Sequence, residues 1–80
     1  MQSPLDSRII RAMFAVADTS PNSEERTAIN SAAEELFPGS VSALESAISF
    51  AKRNHDTKNS YIFTGALMML FAITKIEKGG

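Results

Sequence analysis

The chain of 80 residues contains no cysteine and only one histidine, His55. Without cysteine it forms no disulfide and no thiolate metal site, and one histidine excludes a multi-histidine site within one chain. A domain this small buries only about 60–65% of the surface of its unfolded chain, so its own core is marginal. Small domains usually gain further stability from disulfides, a bound metal or oligomerisation, and of these oligomerisation is left. We therefore expect no metal, no cofactor and a homo-oligomer, in the simplest case a homodimer.

A strong charge of either sign is also missing. The formal net charge is −1, whereas proteins that bind nucleic acid or membrane surfaces are usually basic. Acidic residues are in excess over residues 1–40 and basic residues over residues 41–80. This split either favours head-to-tail or antiparallel self-association or is chance variation on a solvated surface. The N-terminal residues lack the basic start and apolar run of a secretory signal, so a cytoplasmic location is expected.

Sustained strand-like alternation is absent, and apolar residues instead repeat at helical spacing between three turn clusters, at residues 18–22, 37–40 and 54–59. The pattern predicts an all-α fold, a small four-helix bundle-like domain over residues 1–80. Its helices are expected at about residues 4–18, 23–37, 41–54 and 60–78. Because the connections are short, successive helices are expected to be antiparallel neighbours.

Capping residues predict where the helices begin, and apolar stripes predict the core. Ser3, followed by Pro4, is the expected N-cap of the first helix, and Asn22 that of the second. Pro38 and Gly39 are expected to end the second helix. The residues expected to be almost fully buried are Ile9, Met13, Ile29, Leu36, Leu44, Ile48, Ile62, Met69 and Ile73.

The C-terminal helix is more apolar than a lone surface helix needs to be. Spacings of four, three, four and three residues predict a core seam of Ile62, Ala66, Met69, Ile73 and Ile76. The opposite stripe is polar at its ends, at Ser60, Thr64, Lys75 and Lys78. Between these ends it carries Leu67, Met68 and Phe71, which would meet water in a lone four-helix domain.

Four interpretations account for this surplus. The helix is wrapped on all sides by the other three, or Leu67, Met68 and Phe71 bind a partner, with Phe50 the next candidate. In the third interpretation the helix is a membrane anchor. Its apolar run, however, is nearer 13 residues, whereas a membrane-spanning helix needs about 20. A cofactor or lipid pocket is the fourth interpretation, and no specific residue favours it.

Residue sets for catalysis are poorly represented. His55, Asp56 and Ser60 supply the residue types of a hydrolytic triad, but neighbours in one turn do not make its geometry. The adjacent glutamates at residues 24–25 and 34–35 point in different directions on a helix. We therefore expect no enzyme.

A helix-turn-helix is outlined by Ala33 to Leu36, the break at Pro38 and Gly39, and the helix that follows. Its basic residues, Lys52 and Arg53, come late, and a basic patch for phosphate contacts is missing.

The sequence favours a cytoplasmic protein–protein interaction module, such as a regulator, adaptor, chaperone or assembly subunit. It would act through an apolar face of its C-terminal helix. The alternatives are a helix-turn-helix-like DNA-binding regulator and a C-terminally membrane-anchored protein.

Overall fold

The computed structural model describes residues 7–79, and within that range it contains helices and turns but no strand. Four helices follow one another: α1 (Ser7–Ala17), α2 (Glu24–Leu36), α3 (Ser40–Arg53) and α4 (Thr57–Glu77). The predicted all-α class with four helices is confirmed. The predicted first cap at Ser3 and the helix start at Pro4 lie outside the described residues.

The N-cap of α2 is Ser23, so the predicted cap at Asn22 is wrong by one residue. The Ser23 hydroxyl accepts the backbone N–H of Arg26 at 3.1 Å. The backbone N–H of Asn22 instead donates to the hydroxyl of Ser20 at 3.4 Å. With the cap at Ser23, both Glu24 and Glu25 fall in the first turn, where the helix dipole stabilises acidic side chains.

α4 begins at Thr57, earlier than the predicted start at Ser60. The cap is Asp56. Its carboxylate accepts two hydrogen bonds from Asn59, one from the backbone N–H at 3.2 Å and one from the side-chain amide at 2.6 Å. Just before it, α3 ends in a Schellman motif around His55, which has a positive φ of 55°. There the N–H of Asp56 bonds the carbonyl of Ala51 at 2.8 Å, and the N–H of His55 bonds that of Lys52 at 3.1 Å. The two helices therefore form a hairpin joined by residues 54–56.

Replacement of glycine by alanine is expected to have opposite effects on stability at two positions, Gly39 and Gly65. Gly39, between α2 and α3, has φ 81°, whereas Gly65 lies inside α4 in helical conformation, and a Cβ would meet nothing within 4 Å at either site. We expect Gly39→Ala to lower the free energy of unfolding by about 1–2 kcal/mol, because an L-residue is strained there. We expect Gly65→Ala to raise it by up to about 1 kcal/mol through helix propensity. Urea denaturation of both variants measures these changes. If the free energy of unfolding changed in the same direction in both variants, the prediction would be contradicted.

The core is built around α4, which packs against each of the other three helices. Its centre consists of Val16, Ala33, Val41, Leu67 and Phe71. Further buried alanines lie on α1, α3 and α4, at Ala12, Ala51 and Ala72. Small side chains at these positions allow close approach of neighbouring helices. α4 is therefore the helix against which the other three pack, but it is not wrapped on all sides as the first of the four interpretations proposed, because Tyr61, Ile62 and Ala66 are exposed.

The nine residues predicted to be almost fully buried are not, and that prediction is wrong. Leu36 and Ile62 are exposed, and the other seven are only partly buried. On α4 the buried stripe is the opposite one, which runs through Ser60, Leu67, Phe71 and Thr74.

Hydroxyl groups explain why the buried face of α4 was misassigned. Polar side chains at Ser60 and Thr64 predict the solvent side, but a hydroxyl on a helix can bond a carbonyl one turn earlier and needs no water. The Thr64 hydroxyl donates to the carbonyl of Ser60, and the Thr74 hydroxyl donates to that of Leu70, each at 2.8 Å. Thr74 is fully buried with its hydroxyl bonded in this way. Polar side chains therefore do not identify the solvent side of this helix.

Candidate functional site

The four residues predicted to bind a partner fall into different environments. Leu67 and Phe71 are only 6% and 2% exposed and belong to the core, so the expectation that they face solvent is wrong. Phe71 is covered in part by α2, whose Arg26 guanidinium lies 5.5 Å from the ring centroid. Met68 is partly buried against the core. Phe50, on α3, is 63% exposed.

Accessible apolar surface lies instead on the face of α4 that was predicted to be its core seam. We call this set, which is Ile62, Ala66, Met69 and Ile73, the open stripe. Ile62 is 53% exposed and Ala66 is also exposed, whereas Met69 and Ile73 are partly buried. The side chains are spaced four, three and four residues apart and so follow one line along the helix.

A second apolar feature lies between α1 and α4. This α1–α4 groove has a volume of about 320 Å³ and is lined by Ile10, Met13, Phe14, Ala17 and Met68. Phe14 is 69% exposed on its rim. The predicted site did not include Ile10 and Phe14. A signal for them was present, because α1 carries two neighbouring apolar stripes, more than contact with one helix can cover.

The direction of α1 explains why α1 leaves the first half of α4 uncovered. Arg8 and Arg11, near the start of α1, line one groove with Lys75 and Gly79. Phe14 and Ala17, near its end, line another with Met68. α1 therefore runs antiparallel to α4 and ends near the level of Met68. The part of α4 before Met68 extends past α1, and Tyr61 there is 73% exposed.

The histidine, aspartate and serine considered for catalysis line one groove, together with Lys52, Thr57 and Tyr61. Asp56 uses its carboxylate to cap α4, Ser60 is buried, and His55 is exposed in the turn. The Glu35 carboxylate pairs with the Lys78 ammonium group at 3.4 Å. Residues 7–79 contain no group of three histidine, aspartate or glutamate side chains placed to hold a metal ion.

The helix considered for DNA recognition, α3, exposes few basic groups. Its solvent face forms a shallow groove lined by Ser42, Glu45, Ser46, Ser49 and Arg53. Of these, Arg53 at the C-terminal end is the residue suited to a phosphate contact. Glu45 lies nearer the start of the helix, where a recognition helix would approach the negatively charged backbone.

α4 is, within the described part of the chain, the one helix long and apolar enough to cross a membrane. Its 21 residues meet the requirement by length and composition, and 28% of the apolar window is buried inside the domain. The core helix of a soluble protein meets the same requirement. A core helix of that kind is mostly buried, whereas burial on α4 is concentrated on one stripe, at Leu67, Phe71 and Thr74.

Comparisons with protein-family models, with curated proteins and with solved structures find no match to this chain.

Proposed function

We propose that this chain is a protein–protein interaction module. Its binding surface consists of the α1–α4 groove and the open stripe. The observation that carries the proposal is the exposure of bulky apolar side chains around the half of α4 that α1 leaves uncovered, above all Phe14, Tyr61 and Ile62. The interaction face is thus a face of the C-terminal helix, but not the one through Leu67 and Phe71.

These side chains lie on the rim of the α1–α4 groove and on two apolar stripes of α4. Tyr61, Gly65 and Met68 are spaced four and three residues apart, so they share a stripe that leads into the α1–α4 groove. The open stripe begins one residue later, at Ile62, and successive residues of an α-helix are about 100° apart around its axis. Single exposed apolar residues are ordinary, whereas a continuous apolar region typically marks an interaction site.

The composition of the region suits protein binding. Aromatic residues and methionine are enriched in the buried centres of interfaces, because they bury much area and methionine adapts its shape. Burial of Phe14, Tyr61 and Ile62 would each contribute roughly 1.5–3 kcal/mol of gross hydrophobic free energy. Lost translational and rotational freedom takes back much of this gain, which suits reversible binding by a regulator, adaptor, chaperone or assembly subunit.

Site-specific photo-cross-linking in cells of the source organism tests the proposal. A benzophenone amino acid is placed at Phe14 or at Tyr61, and at Ser31 on the exposed surface of α2 as the control. We expect discrete protein adducts from the first two positions and not from Ser31. An adduct with a second copy of the chain also counts as binding at this surface. No adducts, or the same adducts from all three positions, would overturn the proposal.

A further inference from the structure

We propose that the partner of the open stripe is a second copy of this chain, bound through α4 in antiparallel orientation about a two-fold axis. This inference rests on the proposed function and names the occupant of one part of its surface. It excludes Leu67 and Phe71 from the interface, because both are already covered within one domain.

The spacing of the open stripe is that of a helix-pairing seam. Ile62, Ala66, Met69 and Ile73 alternate steps of four and three residues, which is the heptad pattern of positions that meet across two paired helices. Seen within one domain, this seam has no helix in front of Ile62 and Ala66, since both are exposed. A surface with heptad spacing is complementary to another helix with the same spacing, and a second copy supplies one.

The side chains of the seam match one another in antiparallel register. With the two-fold axis between Leu67 and Met68, Ile62 of one copy lies opposite Ile73 of the other, and Ala66 lies opposite Met69. The small alanine thus meets the long methionine, so a short side chain faces a long one at this layer, as interdigitating packing requires. In parallel register Ala66 would meet Ala66 and leave a gap, while Met69 would meet Met69.

The charges at the two ends of the seam favour the same orientation. Lys58 precedes the seam and Glu77 follows it, and both side chains are exposed. The same two-fold axis sets Lys58 of one copy level with Glu77 of the other, whereas parallel pairing sets like charges level. Antiparallel helix dipoles also attract. With only four apolar side chains per copy, we expect a reversible dimer with a dissociation constant on the order of micromolar.

Sedimentation equilibrium of the purified full chain tests the surface. We expect a concentration-dependent dimer, and Ile62→Lys should raise its dissociation constant by at least about tenfold, because each dimer loses two buried isoleucines. Circular dichroism of Ile62→Lys should be unchanged, since Ile62 is 53% exposed. Phe50→Lys is the matched control, an apolar-to-lysine change at an exposed position of α3 outside the seam, and should leave the constant unchanged.

Cysteine cross-linking tests the register, because the chain has no cysteine of its own. A mixture of Ile62→Cys and Ile73→Cys chains, treated with a short thiol cross-linker, should give a covalent heterodimer. Ile62→Cys alone should not, because antiparallel pairing separates the two thiols by about 16 Å along the helix axis, at 1.5 Å per residue. Cross-linking of Ile62→Cys with itself would establish parallel pairing and overturn the antiparallel assignment.

The remaining outcomes separate this inference from the proposed function. A chain that stays monomeric to about millimolar concentration, well above the expected dissociation constant, overturns the inference. If such a monomer still gives photo-adducts with a different protein, the proposed function as an interaction module is supported. Only the assignment of a second copy as the partner is then wrong. A monomer that co-sediments with phosphatidylcholine vesicles, and loses this in Ile62→Lys, would assign the stripe to a membrane surface instead. A dimer disrupted by Phe50→Lys and not by Ile62→Lys would place the contact on α3.

Discussion

Replacing Phe71 with alanine is expected to lower the free energy of unfolding by about 3–5 kcal/mol. The ring is among the largest fully enclosed side chains of the domain and packs at the centre of the core with Val16 and Val41. Its removal leaves a cavity that neighbouring helices fill only in part. It also removes the aromatic face beneath the Arg26 guanidinium. A small domain has only about 4–12 kcal/mol in total, so part of the population is expected to be unfolded at room temperature.

Urea denaturation followed by circular dichroism measures this loss, with Phe50→Ala as the matched control. Both variants remove a phenylalanine ring, but Phe50 is 63% exposed and should cost at most about 1 kcal/mol. Similar losses in the two variants would show that Phe71 does not occupy the core. A Phe71→Ala chain that is folded and stable but no longer binds its partner would restore Phe71 to the interface that the sequence suggested.

Leu67→Ala is the second large effect, with an expected loss of about 2–5 kcal/mol. Leu67 lies one turn before Phe71 on the same buried stripe and is 6% exposed. The loss combines the transfer of apolar atoms to water with the cavity that remains. Because both residues lie in one cluster, the double variant should lose less than the sum of the two single losses.

Leu36→Ala provides the control for Leu67, since it makes the same chemical change at an exposed position at the end of α2. Its expected loss is about 1 kcal/mol. Thermal or urea denaturation of the two variants should therefore rank Leu67 well above Leu36. The reverse order would agree with the core that helical periodicity predicted and would contradict the packing described here.

Several features of the fold follow from local sequence alone. Helical spacing between turn clusters predicted four helices, and Pro38 with Gly39 marked the break between α2 and α3. These features depend on residues close together in the chain, such as a glycine with positive φ or a cap three residues from its donor. Errors at this level were small, as at Ser23 in place of Asn22. The start of α4 differs more from its prediction, because Asp56, which lies in the predicted turn, caps the helix.

The candidate site was only partly predictable. The apolar surplus of α4 was evident from its composition, and Phe50 is exposed as a surface candidate must be. Phe14 and Tyr61 were missed, because their exposure depends on where α1 ends relative to α4. A residue's neighbours along its own helix do not contain that information.

Which face of α4 is buried was decided by tertiary structure. The sequence determined that the helix has two apolar stripes, one through Ile62 and Ile73 and one through Leu67 and Phe71, and either has the spacing of a core seam. Periodicity measures the contrast between faces and is weak when both are apolar. The choice depends on which stripe Val16, Ala33 and Val41 of the other three helices can reach together. Only one stripe can be covered from three sides in a chain this short, and the other is left for solvent or a partner.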